Sequence, residues 1–580
     1  MFRLTPPSEP EGPRVPRACV PCARAKAKCE FELDESICNR CRRLKKPCAG
    51  QVPGAHRRKS RPISDVARLE RKLDGVAAIL AASKRVGSSP LPNQLSPSDS
   101  TVLSPPDHVD QILNDEHEEL LILNAFREDM SQHFPFVVIP AEMTPNDLKK
   151  TKPFLFMTIM TVGCRHDLER QAVLAQRVRE VVSRRMLVGG EQNLDILQGL
   201  LVYQGWHHVH FHLGSQLCNM IHLSMAIVSD LGLNKNVQQM SMGTFGTLKY
   251  FRPPERQSPT RSLEERRALL GTFYVSTMVS VNARDFEPIR YSLYADECCQ
   301  ILEGQAEYPS DKHLVHLIRI THMGSKIART FTQDEWDACS GLSAPVGACV
   351  RALNAELQSL KATLPSGTLF TDILWIHYFF VEILLFEVAV HDSIGSAGYS
   401  DFSMTRLKML FACLNSTKLL FERWFALPTT AYFNFTYFQW SLMGHASVVL
   451  SKLCLFSGEG WDPTYARDTF DFCATVDVVM MKMNEAKALT EHSAGQMRRN
   501  PNMLPCSVPQ VFKEFTLKLQ QWKELHNYRA AQTRQEQQPQ VLSSTGADDL
   551  PSAAAHDEFL FPGGSSLVDF LDDSFWPQFP

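Results

Sequence analysis

The 580-residue sequence lacks the motifs that most small-substrate enzymes carry. It has no Gly-rich phosphate loop and no dinucleotide-binding fingerprint. Ser215, in His212-Leu213-Gly214-Ser215-Gln216-Leu217, has no Gly-x-Ser-x-Gly turn to expose a nucleophile. The motifs therefore give no support to an enzyme. The stretch Met1–Pro16 is rich in Pro and Glu and has no apolar h-region, so no secretory signal is expected. The most apolar run, Ile373–Val390, contains His377, Glu382 and Glu387. Ionisable groups are costly inside a bilayer, so this run is expected to be a buried helix, with no membrane partner. A reducing compartment is therefore expected, in which the 16 cysteines would be thiols or metal ligands rather than disulfides. Also missing are alternating strands joined by two-residue turns and any internal repeat of fixed period.

Hydrophobic residues make up 44% of the chain and charged residues 21%, which predicts a largely globular protein. The net charge of −3 hides a polarity. Residues 1–62 carry fifteen Lys/Arg against six Asp/Glu, and residues 547–580 carry seven Asp/Glu and no Lys/Arg. A basic head and an acidic tail predict a polyanion partner at one end and a different partner at the other.

The head holds Cys19, Cys22, Cys29, Cys38, Cys41 and Cys48, spaced C-x2-C-x6-C-x8-C-x2-C-x6-C. Zinc suits this arrangement, because it takes four thiolates tetrahedrally at about 2.3 Å and has no redox chemistry of its own. The second half repeats the spacing of the first. Six ligands cannot close two independent four-ligand sites, so two sulfurs are shared if cysteine saturates both metals. Cys19 and Cys38, each first in its half, are the natural bridges. Six thiolates and two Zn2+ leave a charge of about −2, which the neighbouring Lys and Arg offset. So small a segment has almost no apolar core, and metal binding is expected to supply its folding energy.

The stretch Arg17-Ala18-Cys19-Val20-Pro21-Cys22-Ala23-Arg24-Ala25-Lys26-Ala27-Lys28-Cys29 resembles the first lobe of the fungal binuclear zinc-cluster transcription factors. The resemblance implies two Zn2+ bridged by two cysteines and a short helix whose end enters the major groove, commonly over a CGG triplet. It makes Lys26 the base-reading residue, with Arg24 and Lys28 on phosphates or the groove edge. Arg40, Arg42, Arg43, Lys45 and Lys46 of the second lobe are expected to hold the DNA backbone. Lysine can donate to guanine O6 and N7, and the other cations supply the salt-dependent share of binding. Two departures stand out. Ser36 occupies a position where the family often has proline, and Glu32, Asp34 and Glu35 would be repelled by phosphate, so their loop is expected to face away from DNA. The competing reading is a zinc-stabilised protein-interaction scaffold without sequence-specific DNA binding.

Beyond the cluster (1–50) a basic connector spans 51–62. In 63–85, Val66, Leu69, Leu73, Val76 and Leu80 recur at 3-4-3-4 spacing, which predicts a short coiled-coil helix and a homodimer. Two heptads are short, Gly75 costs about 1 kcal/mol, and Asp65 would face Glu70 of a parallel partner; a helix docked on the protein's own body is the alternative. Residues 86–111, rich in Pro and Ser, are expected to be disordered linker. Residues 112–528 predict a large all-α regulatory domain. Leu174, Val178, Val181 and Val182 form one stripe; Val350, Leu353, Leu357, Leu360 and Leu364 a second; Phe512, Phe515, Leu519 and Trp522 a third. His133–Pro140, His222–Lys235 and Arg266–Ser280 resemble the helical middle region that accompanies this zinc cluster, where some family members take a small-molecule effector. His207, His208, His210 and His212 read as an aromatic helix and its turn rather than a metal site, and Cys298-Cys299 as ordinary thiols.

The tail, 529–580, is Gln-rich and then interleaves Asp557, Glu558, Asp569, Asp572 and Asp573 with aromatics such as Phe559, Phe570 and Trp576. Acidic charge keeps aromatics solvated and available, which fits an activation segment that docks on a transcription coactivator; packing back on the body is the alternative. The whole predicts a mostly α, nuclear, RNA polymerase II activator bound to double-stranded DNA. Family members govern nutrient use, stress response and secondary metabolism, and these residues choose no pathway.

Overall fold

The computed structural model describes residues 19, 22, 28–30, 37–48, 115–214, 216–236, 260–282, 286–331, 344–365, 369–390, 400–456, 458, 460–496 and 510–536. The chain forms two compact units, residues 1–104 and 105–580. The first contains the helix α1 (Asn39–Arg43). The second contains α2 (Glu116–Ala125), α3 (Pro145–Thr151), α4 (Pro153–Gly163), α5 (Leu168–Val182), α6 (Leu194–Gly205), α7 (Leu217–Asp230), α8 (Leu263–Asn282) and α9 (Leu293–Gln305). It continues with α10 (Pro309–Thr330), α11 (Ala344–Lys361), α12 (Leu369–Phe386), α13 (Ser400–Ala426), α14 (Tyr437–Leu455), α15 (Pro463–Thr469), α16 (Phe472–Gln496) and α17 (Gln510–Glu536). The described residues contain no strand, in keeping with the all-α expectation.

Local chemistry starts many of these helices. Thr144 and Asp147 form a reciprocal capping box at α3, and Thr436 and Gln439 another at α14. The α4 helix has no cap of its own. Instead, the N–H groups of Phe154 and Leu155 donate to the carboxylate of Asp195 on α6, at 3.2 and 2.8 Å. An anion at a helix N-terminus satisfies orphan donors and suits the dipole. Every residue of α4 from Phe154 to Val162 is buried, as expected for a helix that is apolar all round. Gly199 on α6 lets the pair approach: a Cβ there would lie 2.3 Å from the Phe154 ring.

One hydrophobic core runs from Ile122 to Trp522. The predicted stripes lie in it. Leu174, Val178, Val181 and Val182 are buried on α5, whose end passes through a π-turn to Gly190 at φ 68°. Val350, Leu353 and Leu357 of α11 are buried, with Leu360 and Leu364 packed against the core. Phe515, Leu519 and Trp522 of α17 are buried, while the side chain of Phe512 lies outside the described residues. The α17 helix continues to Glu536, past Trp522, the last member of the stripe, and past residue 528, the expected end of the body. The added turns, Arg529-Ala530-Ala531-Gln532, are good helix formers with no apolar period to announce them.

The apolar run at 373–390 is one helix long and apolar enough to cross a membrane, and 83% of it is buried inside the body. Its polar groups are satisfied there. His377 Nδ1 donates to the Ile373 carbonyl at 2.8 Å, leaving Nε2 to accept from Tyr274 Oη at 3.0 Å. Glu382 accepts from Tyr378, Ser416 and Gln358. Elsewhere in the core, Arg267 grips Asp311 with two bonds of 2.7 and 3.0 Å. Breaking such a buried pair costs about 3–5 kcal/mol, because one charge is left uncompensated. The connector 51–62, the helix expected at 63–85 with Val66, Leu69, Leu73, Val76 and Leu80, the linker 86–111 and the tail beyond Glu536 lie outside the described residues.

Candidate metal centre and nucleic-acid interface

The cysteines of the first unit converge. The sulfurs of Cys19, Cys22, Cys38 and Cys41 all lie within 4.8 Å of one another, and Cys29 and Cys48 pack against them. The closest separations are 3.7 Å for Cys19–Cys38, 3.6 Å for Cys19–Cys41 and 3.6 Å for Cys22–Cys38. Four thiolates around one zinc, each at about 2.3 Å, stand about 3.8 Å apart. The observed distances therefore fit tetrahedral thiolate coordination of a metal and exceed the roughly 2 Å of a disulfide.

The two halves repeat in space as they do in sequence. The Cys19 N–H donates to Cys29 Sγ at 3.3 Å, and the Cys38 N–H to Cys48 Sγ at 3.5 Å. Cys38 also caps α1, its sulfur accepting from the Cys41 N–H at 3.4 Å. That bond, against the opposing effect of burial, holds the Cys38 thiol down at about 6. Burial works against ionisation of Cys19 too, yet bonds from Cys22, Cys41 and Cys29 outweigh it and lower its thiol. Cys29 receives a favourable bond from the Cys19 backbone, but burial and three neighbouring sulfurs push it up to about 12. The thiols of Cys19 and Cys38 are thus lowered, while those of Cys29, Cys41 and Cys48 are raised and would ionise on meeting a cation.

The cations of the second half divide into two kinds. Arg42, Arg43, Lys45 and Lys46 are exposed, Arg42 bonding to Asn39 Oδ1 at 3.0 Å. Lys45 takes a left-handed φ of 49° that ends α1. Arg40 is half-buried, and its guanidinium lies 4.0 Å from Cys22 Sγ. In the first half, Lys28 pairs with Glu30 at 2.6 Å, both exposed, a contact worth little in water. The Glu30 carbonyl accepts from the Asn39 N–H at 3.0 Å and ties the halves together. Arg24 and Lys26 lie outside the described residues.

Candidate sites in the body resolve differently. His207–Leu213 form a 3-10 helix. His210 stacks on Tyr203 at 4.0 Å, and burial pushes His207 and His208 to about 3, which keeps both neutral. Among the described residues these imidazoles do not converge as a ligand set. Cys298 and Cys299 are free, buried thiols on α9. One group escaped the sequence reading: Glu118, Cys164 and His166 come within 4.8 Å of one another. Their separation in the chain gave no signal, and the Arg170 guanidinium, 3.1 Å from Glu118 Oε2, already supplies a cation.

The sequence profile of the family described as the WAR1 C-terminal domain matches residues 98–420. The chain belongs to the WAR1 C-terminal domain family. The match covers much of the helical body and leaves the cysteine cluster outside. Among curated relatives, transcription factor opdL of Penicillium oxalicum is 29% identical over 477 residues, covering 80% of this chain and 83% of that protein. Transcription factor himD of Aspergillus japonicus is 27% identical over 455 residues, covering 76% and 74%. Transcription factor pbcR of Emericella nidulans is 23% identical over 393 residues, covering 60% and 53%. No solved structure matches the chain. With these relatives, this member of the WAR1 C-terminal domain family is a transcription regulator rather than an enzyme, which makes DNA its expected partner.

Proposed function

We propose that this chain is a nuclear, zinc-dependent, sequence-specific DNA-binding activator of RNA polymerase II genes that reads CGG-type half-sites. The observation that carries the reading is the packing of Cys19 and Cys38 between the two halves of a sulfur cluster with zinc-like spacing. Cys19, Cys22, Cys29 and Cys38 would hold one Zn2+, and Cys19, Cys38, Cys41 and Cys48 the other. Bound zinc supplies the folding energy that so small a unit lacks.

The chain's own residues supply the rest. Lys26 reads the bases, with Arg24 and Lys28 beside it, while exposed Arg42, Arg43, Lys45 and Lys46 neutralise phosphates. Val66, Leu69, Leu73, Val76 and Leu80 pair two copies and set the half-site spacing. The body is the regulatory region where a small-molecule effector would act, and the acidic-aromatic tail recruits a coactivator.

The test is a selection from random duplex DNA with the full-length chain, with and without a zinc chelator. A CGG-containing motif that vanishes on chelation supports the reading. Zinc-dependent folding with no enriched sequence would make the cluster a protein-interaction scaffold instead.

A further inference from the structure

The second-half cations are alike in sequence and unlike in placement. Arg42, Arg43, Lys45 and Lys46 are exposed, Arg42 while bonded to Asn39 Oδ1, and a phosphate could meet them. Arg40 differs. It leaves α1 half-buried and directs a guanidinium N–H toward the sulfur of Cys22, in the other half of the cluster, at 4.0 Å. Its chain neighbours are already committed: Asn39 N–H bonds to the Glu30 carbonyl, and Cys41 packs among the sulfurs.

We infer that Arg40 is a positioning residue of the zinc cluster, strapping its two halves together through Cys22, and not a phosphate contact. The inference rests on the zinc-cluster reading above. Cys22 would serve a single metal, so its sulfur keeps more negative charge than the shared Cys19 and Cys38 and is the better acceptor for a cationic donor. A guanidinium there offsets part of the cluster's negative charge and fixes the direction of a terminal ligand. Outer partners of this kind typically change metal affinity by roughly ten- to a hundred-fold when removed. The arrangement also crosses between halves, since Arg40 stands on the helix begun by Cys38 while Cys22 belongs to the first repeat. It is the side-chain counterpart of the backbone bond from Asn39 to Glu30.

The test compares full-length wild type, Arg40→Gln, Arg40→Lys and Arg43→Gln. Zinc release to the chromogenic chelator 4-(2-pyridylazo)resorcinol is measured alongside the salt dependence of DNA binding by the zinc-loaded proteins. Arg40→Gln should lose zinc at least ten-fold more readily while keeping the wild-type salt slope, and Arg43→Gln should keep its zinc while its slope falls by about 0.9. Arg40→Lys, which keeps the charge and loses the planar fork, guards against an unfolded glutamine variant. It should release zinc faster than wild type, and its Co2+-substituted form should show shifted thiolate charge-transfer absorption. Wild-type zinc retention in both Arg40 variants, or a slope reduced by about 0.9 in Arg40→Gln, would overturn the inference. Failure of the wild type to bind zinc would instead remove the cluster reading itself.

Discussion

The sulfurs of Cys19 and Cys38 stand 3.7 Å apart at the junction of two repeated half-clusters. Each also lies 3.6 Å from the second cysteine of a half: Cys19 from Cys41, and Cys38 from Cys22. If these two are shared ligands, ligand substitutions fall into two classes. Cys19→Ser or Cys38→Ser should abolish binding of both metals, whereas Cys29→Ser or Cys48→Ser should leave one site with its four thiolates. Native mass spectrometry counts zinc per chain. Equal losses in the two classes would contradict sharing.

Lys26 is the proposed base reader, and its role separates from that of the exposed cations. Lys26→Ala should cost about 1–3 kcal/mol on the cognate triplet and little on scrambled DNA. Competition titrations on the two duplexes measure the difference. A uniform loss on both would reduce Lys26 to a phosphate contact.

The acidic tail makes a prediction about output rather than binding. Deleting 556–580 should lower reporter activation and leave affinity for DNA unchanged. Full activation by the truncated chain would place the activation function elsewhere.

The body carries an unusual load of buried imidazoles. Burial, the largest cause in each case, pushes His133, His377 and His526 to about 4 and His207, His208 and His313 to about 3. The ordinary imidazole value is 6.5, so below that pH the unfolded chain binds more protons than the folded one. Stability contributed by neutral burial is complete above 6.5 and is lost as pH falls toward the folded values. Each imidazole adds a slope of up to about 1.4 kcal/mol per pH unit in that window. Urea denaturation should therefore show a marked drop in midpoint from pH 7 to pH 5.5. His377→Phe should make that dependence shallower even if it lowers stability overall. A pH-independent midpoint would show that the imidazoles are not held neutral.

Much of this was legible in the sequence, for reasons that differ by element. The buried faces of α5 and α11 followed from 3-4 spacing, because a helix returns each third or fourth side chain to one side. The convergence of the six cysteines followed from repeated spacing and the chemistry of the thiolate. What escaped depends on contacts across the chain. Asp195 caps α4 from a distance of forty residues, and no local motif announces a cap lent by another helix. Spacing along α1 likewise does not tell that the Arg40 guanidinium lies 4.0 Å from the Cys22 sulfur. Arg529 to Glu536 looked like tail, because helix propensity without an apolar stripe leaves no period to read.

In the proposed function, zinc on these cysteines creates a sequence-specific DNA-binding unit. The most direct measurement adds Zn2+ stepwise to metal-stripped full-length protein while fluorescence anisotropy follows binding to a CGG-containing duplex and its scrambled counterpart. Preference for the CGG duplex should emerge with zinc and saturate at about two ions per chain. Equal affinity for both duplexes at every zinc level would contradict it.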